Sequence, residues 1–160
     1  LRETIPPMPT SATTAQPTPA PQLLLDHQLC FSLYAASLAM TRRYQPLLTE
    51  LGLTYPQYIA LLALWEHDDV TVSALGDRLA LDSGTLTPLL KRMETSGWVT
   101  RERDAADERR VRVRLTPAGR ALRERAQHIP SSLLAGSGVT ATQVRQLTAA
   151  LQALRQRLEG

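Results

Sequence analysis

The sequence predicts a mostly α fold with one small antiparallel hairpin, and three observations lead there. Apolar residues recur at helical spacing through most of the chain, aromatics make up only 4% of it, and strand-like alternation is confined to one stretch. That stretch runs Trp98-Val99-Thr100-Arg101-Glu102-Arg103, then a polar tip Asp104 to Arg109, then Arg110-Val111-Arg112-Val113-Arg114-Leu115. In the second strand Val111, Val113 and Leu115 face one way and Arg110, Arg112 and Arg114 the other. Directly upstream lies Leu81 to Met93, in which Leu86, Leu89, Leu90 and Met93 fall at i, i+3, i+4 and i+7 and form one buried stripe. Ser96-Gly97 stops that helix. The segment Ser73 to Ala80, read as capped by Ser73, is its upstream partner. Two short helices followed at once by a hairpin with a charged tip make a winged helix-turn-helix.

Taken in order, residues 1–22 are a Pro-rich tail that holds six of the eleven prolines: Pro6, Pro7, Pro9, Pro17, Pro19 and Pro21. Such a segment cannot bury enough apolar surface to offset its ordering entropy and is expected to be disordered. Residues 23–160 are expected to form a single winged-helix domain, with the helix-turn-helix and wing over about 54–115 and long helices over about 24–50 and 116–160. The first long helix is placed from Leu25 to about Tyr44, with apolar residues over most of its circumference, and Pro46 breaks or restarts it. A helix apolar nearly all round is buried on two sides, and in so small a chain the second side is another subunit. Thr54 caps the next helix, with Pro56 in its first turn. Val70-Thr71-Val72 is a candidate third strand for the wing.

After the wing Thr116 caps a helix that starts at Pro117 and runs to about His128, with Ala118, Ala121, Leu122 and Ile129 on one stripe. Pro130 and Gly136 to Gly138 form a bend. Thr140 and Gln143 make a capping-box pattern for the last helix. There Val144, Leu147, Leu151, Leu154 and Leu158 are spaced 3, 4, 3 and 4, the seam of helices that pack lengthwise on a partner. These five are the expected dimerisation residues, with packing inside one subunit as the alternative.

The charge pattern points to the partner. Lys91 to Arg114 contains eight Lys and Arg against five Asp and Glu, a surplus equal to the formal net charge of +3 of the whole chain. A basic face of this layout suits a phosphate-rich partner, double-stranded DNA. The helix from Leu81 presents small hydroxyls at its start and cations further along. Ser83, Thr85, Thr87 and Pro88 are therefore expected at base edges and phosphates, and Lys91 and Arg92 at phosphates. At the wing tip the candidates are Asp107, Arg109 and Arg110. A homodimer would read two half-sites of a pseudo-palindromic operator about one DNA turn apart, roughly 34–36 Å.

Other chemistry is sparse. Cys30 is the one cysteine, so an intrachain disulfide and a Cys-rich zinc site are excluded. His27, His67 and His128 are scattered, and no metal or cofactor is expected. No Gly-rich phosphate loop or Ser/His/Asp arrangement is present, so an enzyme is not expected. The longest apolar run, Ile59 to Trp65, is far too short to span a bilayer, and no secretory segment appears. No membrane partner and a cytoplasmic location are therefore expected.

The order of helices, wing and two further helices resembles the multiple-antibiotic-resistance regulator family. Asp104-Ala105-Ala106-Asp107-Glu108-Arg109-Arg110 looks like that family's Asp-x-Arg wing signature. The resemblance implies that Arg109 enters a minor groove and that Asp107 fixes its guanidinium. Leu29-Cys30-Phe31, Tyr34, Tyr44, the block Leu53 to Tyr58 and the block Leu81 to Lys91 resemble, more narrowly, the organic hydroperoxide resistance regulators of the single-cysteine type. The match covers roughly residues 24–125. It implies a repressor whose Cys30 is oxidised by an organic hydroperoxide, after which the protein leaves DNA. It also implies that Tyr44 and Tyr55 reach that cysteine from the partner subunit, with Tyr34 on the cysteine's own helix face. Without a second thiol the oxidised state is a sulfenic acid, a mixed disulfide with a low-molecular-weight thiol, or an overoxidised form.

Two other readings stay open on the residues. One is a winged-helix regulator released by a small phenolic ligand, with Cys30 incidental. The other is a dimeric adaptor that uses the wing for protein contact.

Overall fold

The computed structural model describes residues 20–160, so the expected tail lies outside the described residues up to position 19. The chain divides into two units, Leu1–Leu38 and Ala39–Gly160. In the described part of the first, Pro21–Leu23 and Leu25–His27 are short 3-10 turns, and helix α1 (Leu29–Thr49) begins after them. The sequence places that start four residues earlier. The His27 ring bonds the Pro21 carbonyl through Nδ1 at 2.8 Å, and Gln28 Nε2 donates to the carbonyls of Gln22 and Leu24. These bonds close the turns on themselves, and the Gln28 carbonyl then accepts the first helical N–H, from Ser32, at 3.1 Å.

Pro46 does not break α1, which continues to Thr49. A mid-helix proline loses one N–H bond and crowds the preceding turn. The turn beyond it buries Leu48 to 1% exposure, and burial on that scale offsets a single lost bond. Gly52, at φ +70°, then reverses the chain.

The second unit carries the core. Helix α2 (Tyr55–Glu66) opens where Gln57 Oε1 accepts the Thr54 N–H at 2.8 Å. Strand β1 (Val70–Thr71) leads into α3 (Val72–Leu79), then α4 (Ser83–Thr95). The wing follows as β2 (Val99–Arg103) and β3 (Val111–Leu115). The candidate third strand is present: β1 pairs antiparallel with β3, giving the order β1-β3-β2. The hairpin register sets Val99 opposite Leu115 and Arg101 opposite Val113, so Val99, Val113 and Leu115 reach the core together. They meet Leu61 and Leu64 of α2, Leu75 of α3, and the α4 stripe of Leu86, Leu89, Leu90 and Met93.

Two sequence expectations shift here. Thr71, not Ser73, caps α3: its Oγ1 accepts from the Ala74 N–H at 3.2 Å. Thr71 ends a strand and already has the extended backbone an N-cap needs, whereas Ser73 is inside the helix. Beyond the wing, helix α5 spans Pro117–Ala126 and a separate α6 spans Ile129–Leu134, so Pro130 sits in a first turn rather than a bend. The buried stripe there is Gly119, Leu122, Ala126 and Ile129, while Ala118 and Ala121 are exposed. Gly119 faces inward because only hydrogen fits: a Cβ there would stand 2.1 Å from the Trp98 carbonyl oxygen. Helix α7 (Ala141–Glu159) is capped by Thr140, whose hydroxyl accepts from Gln143 N–H at 3.2 Å while Gln143 Oε1 accepts from Thr140 N–H at 2.8 Å.

Candidate nucleic-acid interface and thiol site

Helix α4 is assembled from its first turn. Asp82 is extended and its Oδ1 accepts the Thr85 N–H at 2.9 Å, while Oδ2 accepts the Thr85 hydroxyl at 3.1 Å. The backbone N–H of Thr85 and then its hydroxyl hold the Asp82 carboxyl below the usual range. The four apolar residues of the stripe are buried, which turns Ser83, Thr85, Thr87, Pro88, Lys91 and Arg92 outward, all exposed. Pro88 lies in the second turn of the helix. The face is thus a row of small groups followed by two cations. Such a surface can approach a groove floor closely while charge reaches phosphates.

Ion pairs fix how the wing stands on α4. Glu94 accepts the Arg101 N–H at 3.1 Å through Oε1, and the Arg101 guanidinium at 2.7 and 3.0 Å through Oε2. Asp69 Oδ1 accepts from Arg112 Nε at 2.7 Å and pairs with Arg114 Nε at 2.8 Å. Arg112 also reaches the Asp69 carbonyl and, at 3.2 Å, Asp104. Asp68 Oδ1 accepts the Leu115 N–H at 2.8 Å, and its Oδ2 pairs with Arg120 at 2.5 Å. So four of the eight cations between Lys91 and Arg114 are in ion pairs: Arg101, Arg110, Arg112 and Arg114. Lys91, Arg92 and Arg109 have no ion pair or side-chain hydrogen bond among the described residues.

The wing tip differs in detail from its expectation. Asp107 Oδ1 accepts the backbone N–H of Arg109 at 3.1 Å, and Oδ2 pairs with the Arg110 guanidinium at 3.4 Å. Asp107 therefore shapes the turn that carries Arg109 rather than gripping its guanidinium, because a turn N–H two residues on is the nearer donor. The Arg109 side chain is left exposed at the tip.

The thiol and the tyrosines fall in different units. In the first, Cys30 is the second residue of α1 and is exposed, and Tyr34, four residues on, is 61% exposed. The first turn of a helix has backbone N–H groups without intrahelical partners and favours negative charge nearby. In the second unit, Tyr44 and Tyr55 stack with ring centroids 4.9 Å apart, and Tyr58 lies 5.7 Å from Tyr44. Burial, with Tyr55 and Tyr58 beside it, pushes Tyr44 up to about 12. Tyr58 is also raised, by burial first and Tyr55 second. Tyr58 was not among the sequence candidates, although its i+3 spacing from Tyr55 puts both on one face of α2.

Large apolar surface is left open along two helices. Leu29, Leu38 and Met40 of α1 are 58%, 38% and 39% exposed. On α7 Leu147, Leu151 and Leu158 are 62%, 39% and 78% exposed, Val144 and Leu154 are half-buried, and no residue is buried. None of the five seam residues is buried within the second unit. Among the described residues no helix is long and apolar enough to cross a membrane, and no group of His, Cys, Asp and Glu is placed to hold a metal.

Residues 42–125 match the family model described as transcriptional regulator SarA/Rot. The chain is 52% identical over 134 residues to the organic hydroperoxide resistance transcriptional regulator of Bacillus subtilis, across 84% of this chain and 91% of that protein. Its structure is similar to the DNA-bound reduced form of AbfR, a protein of Staphylococcus epidermidis. There the TM-score is 0.74 at 38% identity, covering 85% of this chain and 95% of that one. It is also similar to the reduced form of MarR from E. coli, with a TM-score of 0.65 at 26% identity over 79% and 96% of the two chains.

Proposed function

Because the chain belongs to the winged-helix transcriptional regulators of the multiple-antibiotic-resistance type, among the organic hydroperoxide resistance regulators, we propose that it is a homodimeric repressor released from DNA when Cys30 is oxidised. The observation that carries this reading is an exposed, sole cysteine in the first turn of a helix, in a chain 52% identical to a hydroperoxide regulator.

The DNA side follows from α4 and the wing. The exposed face of α4 enters a major groove, Lys91 and Arg92 reach phosphates, and Arg109 reaches the neighbouring minor groove, where narrow geometry concentrates negative potential. The open faces of α1 and α7, including Val144, Leu147, Leu151, Leu154 and Leu158, close against a second copy. Two copies present two half-sites of a pseudo-palindromic operator.

The redox side is ordinary thiol chemistry. The Cys30 thiolate attacks the outer oxygen of the hydroperoxide, the O–O bond breaks, and with one proton taken up the products are a sulfenic acid and an alcohol. A low-molecular-weight thiol then displaces water to give a mixed disulfide. The partner subunit's Tyr44 and Tyr55 supply hydroxyl donors to the thiolate. A tyrosine hydroxyl is protonated at neutral pH and donates to an anion, and burial keeps Tyr44 so up to about 12. The adduct enlarges a packed interface, the helices shift, and the spacing of the two reading heads changes. Cumene hydroperoxide added to the operator complex tests this: the parent dissociates and Cys30→Ser stays bound.

One observation favours the phenolic-ligand reading. The second unit has a cleft of about 410 Å³ lined by Tyr58, Leu62, Trp65, Glu66, Arg123, Ala126, Gln127 and Pro130, in which the Glu66 carboxylate is paired with Arg78. An aromatic ring with an acidic group would fit its mix of ring faces and guanidinium. Release by salicylate without peroxide, in Cys30→Ser as well as in the parent, would favour that reading over the thiol.

A further inference from the structure

We propose that Asp69 limits the sequence-independent DNA affinity of this regulator by holding Arg112 and Arg114 of the wing in ion pairs, out of reach of phosphates. The proposal rests on the DNA-binding reading above. Eight cations lie between Lys91 and Arg114, and the two within β3 are gathered by one carboxylate oxygen. Arg112 is held hardest. Its Nε donates to Asp69 Oδ1, its Nη2 to the Asp69 carbonyl and its Nη1 to Asp104. Arg114 is 48% exposed, and its other contact, Glu102, stands at 3.6 Å, so Asp69 is its closest restraint.

Asp69 is built into this position. It sits in the left-handed region at φ +57°, unusual for a residue with a side chain, immediately before β1, which pairs with β3 across Val70–Val113 and Thr71–Arg112. Asp68 beside it turns the other way, to Leu115 N–H and Arg120. The carboxylate of Asp69 is thus directed at the wing's outer face and not at its core.

The consequence is electrostatic. Each phosphate a protein neutralises adds about 0.9 to the slope of log affinity against log salt, whatever the base sequence. Cations left free on the wing would strengthen binding everywhere on DNA and lower the ratio of operator to random affinity. Lys91, Arg92 and Arg109 stay free for the operator, while Asp69 withholds two others.

The test uses the full chain and a random-sequence 30-base-pair duplex, with affinity followed by fluorescence anisotropy across monovalent salt. Asp69→Asn keeps the shape of the side chain and the backbone carbonyl that holds Arg112. It should steepen the salt slope by about 1 and tighten binding roughly 5- to 10-fold at 0.1 M salt. Adding Arg114→Gln to that variant should return the slope to the parent's. Arg114→Gln alone should leave the slope unchanged, because that cation is already withheld; this arm also serves if Asp69→Asn misfolds. An Asp69→Asn slope equal to or shallower than the parent's, or an Arg114→Gln slope shallower by about 1, overturns the inference and leaves the DNA-binding reading intact. A parent that fails to bind the duplex at any salt overturns both.

Discussion

Tyr44 and Tyr55 lie ring to ring, with centroids 4.9 Å apart and planes tilted by 43°. Tyr44 comes from the end of α1 and Tyr55 opens α2, so the contact bridges the turn at Gly52 within the second unit. Burial and the neighbouring rings keep Tyr44 protonated to about 12. Tyr44→Phe retains the ring and its packing and removes only the donor. A hydrogen bond to a charged group is worth about 1.5–3 kcal/mol, so oxidation of Cys30 should slow by roughly 10-fold or more while DNA affinity holds. Stopped-flow loss of free thiol after cumene hydroperoxide measures it. An unchanged rate would remove Tyr44 from the thiol's surroundings.

Arg109 and Lys91 should fail differently. Arg109→Ala should weaken operator binding by about 1–3 kcal/mol and leave the dimer intact. Lys91→Ala should weaken binding to every sequence and flatten the salt slope by about 1. Anisotropy titrations on operator and random duplexes separate the two, and a base-specific defect in Lys91→Ala would contradict its assignment to a phosphate.

The α7 seam sets the assembly. Leu151 is 39% exposed in the single chain and is proposed to be buried by the second copy. Leu151→Arg places an unpaired charge there, which is costly once desolvated. Sedimentation should show monomers, and operator binding should be lost with them. A dimer of unaltered strength would place the interface elsewhere.

Acid should loosen the wing over a defined range. Hydrogen bonds from Arg112 and then Arg114 lower the Asp69 carboxyl from 3.8 to about 2. A depressed folded value means that the contribution is present above about pH 4 and is lost as pH falls towards 2. The thermal midpoint should drop through that window, and Asp69→Asn should flatten this part of the profile. A profile identical in the two proteins would show that the pairs add nothing to stability.

What was legible in the sequence was local. The stripe of Leu86, Leu89, Leu90 and Met93, the caps at Thr116 and Thr140, and the alternation of Val111, Val113 and Leu115 all follow from spacing a few residues wide, and the structure has them. The exposed seam of α7 was readable for the same reason. What sequence could not supply depends on distant partners. Arg112 and Arg114 read as free cations on a strand face, yet the carboxylate that holds Arg112 lies 43 residues earlier in the three-residue loop between α2 and β1. Gly119 lies inside α5, and the Trp98 carbonyl against it explains its place. Pro46 reads as a breaker because the burial of Leu48 beyond it is a tertiary effect. The roles of Cys30 and the tyrosines rested on resemblance and not on spacing alone.

The most direct measurement is operator occupancy of the Cys30→Ser protein during a titration with cumene hydroperoxide, beside the parent. A shift from mostly bound to mostly free needs a bias of roughly 5 kcal/mol between the two states, and here it is assigned to the oxidised sulfur of Cys30. The parent should leave the operator as its thiol is consumed, and Cys30→Ser should remain bound at every peroxide concentration that releases the parent. Release of Cys30→Ser at the same concentrations would contradict the thiol switch.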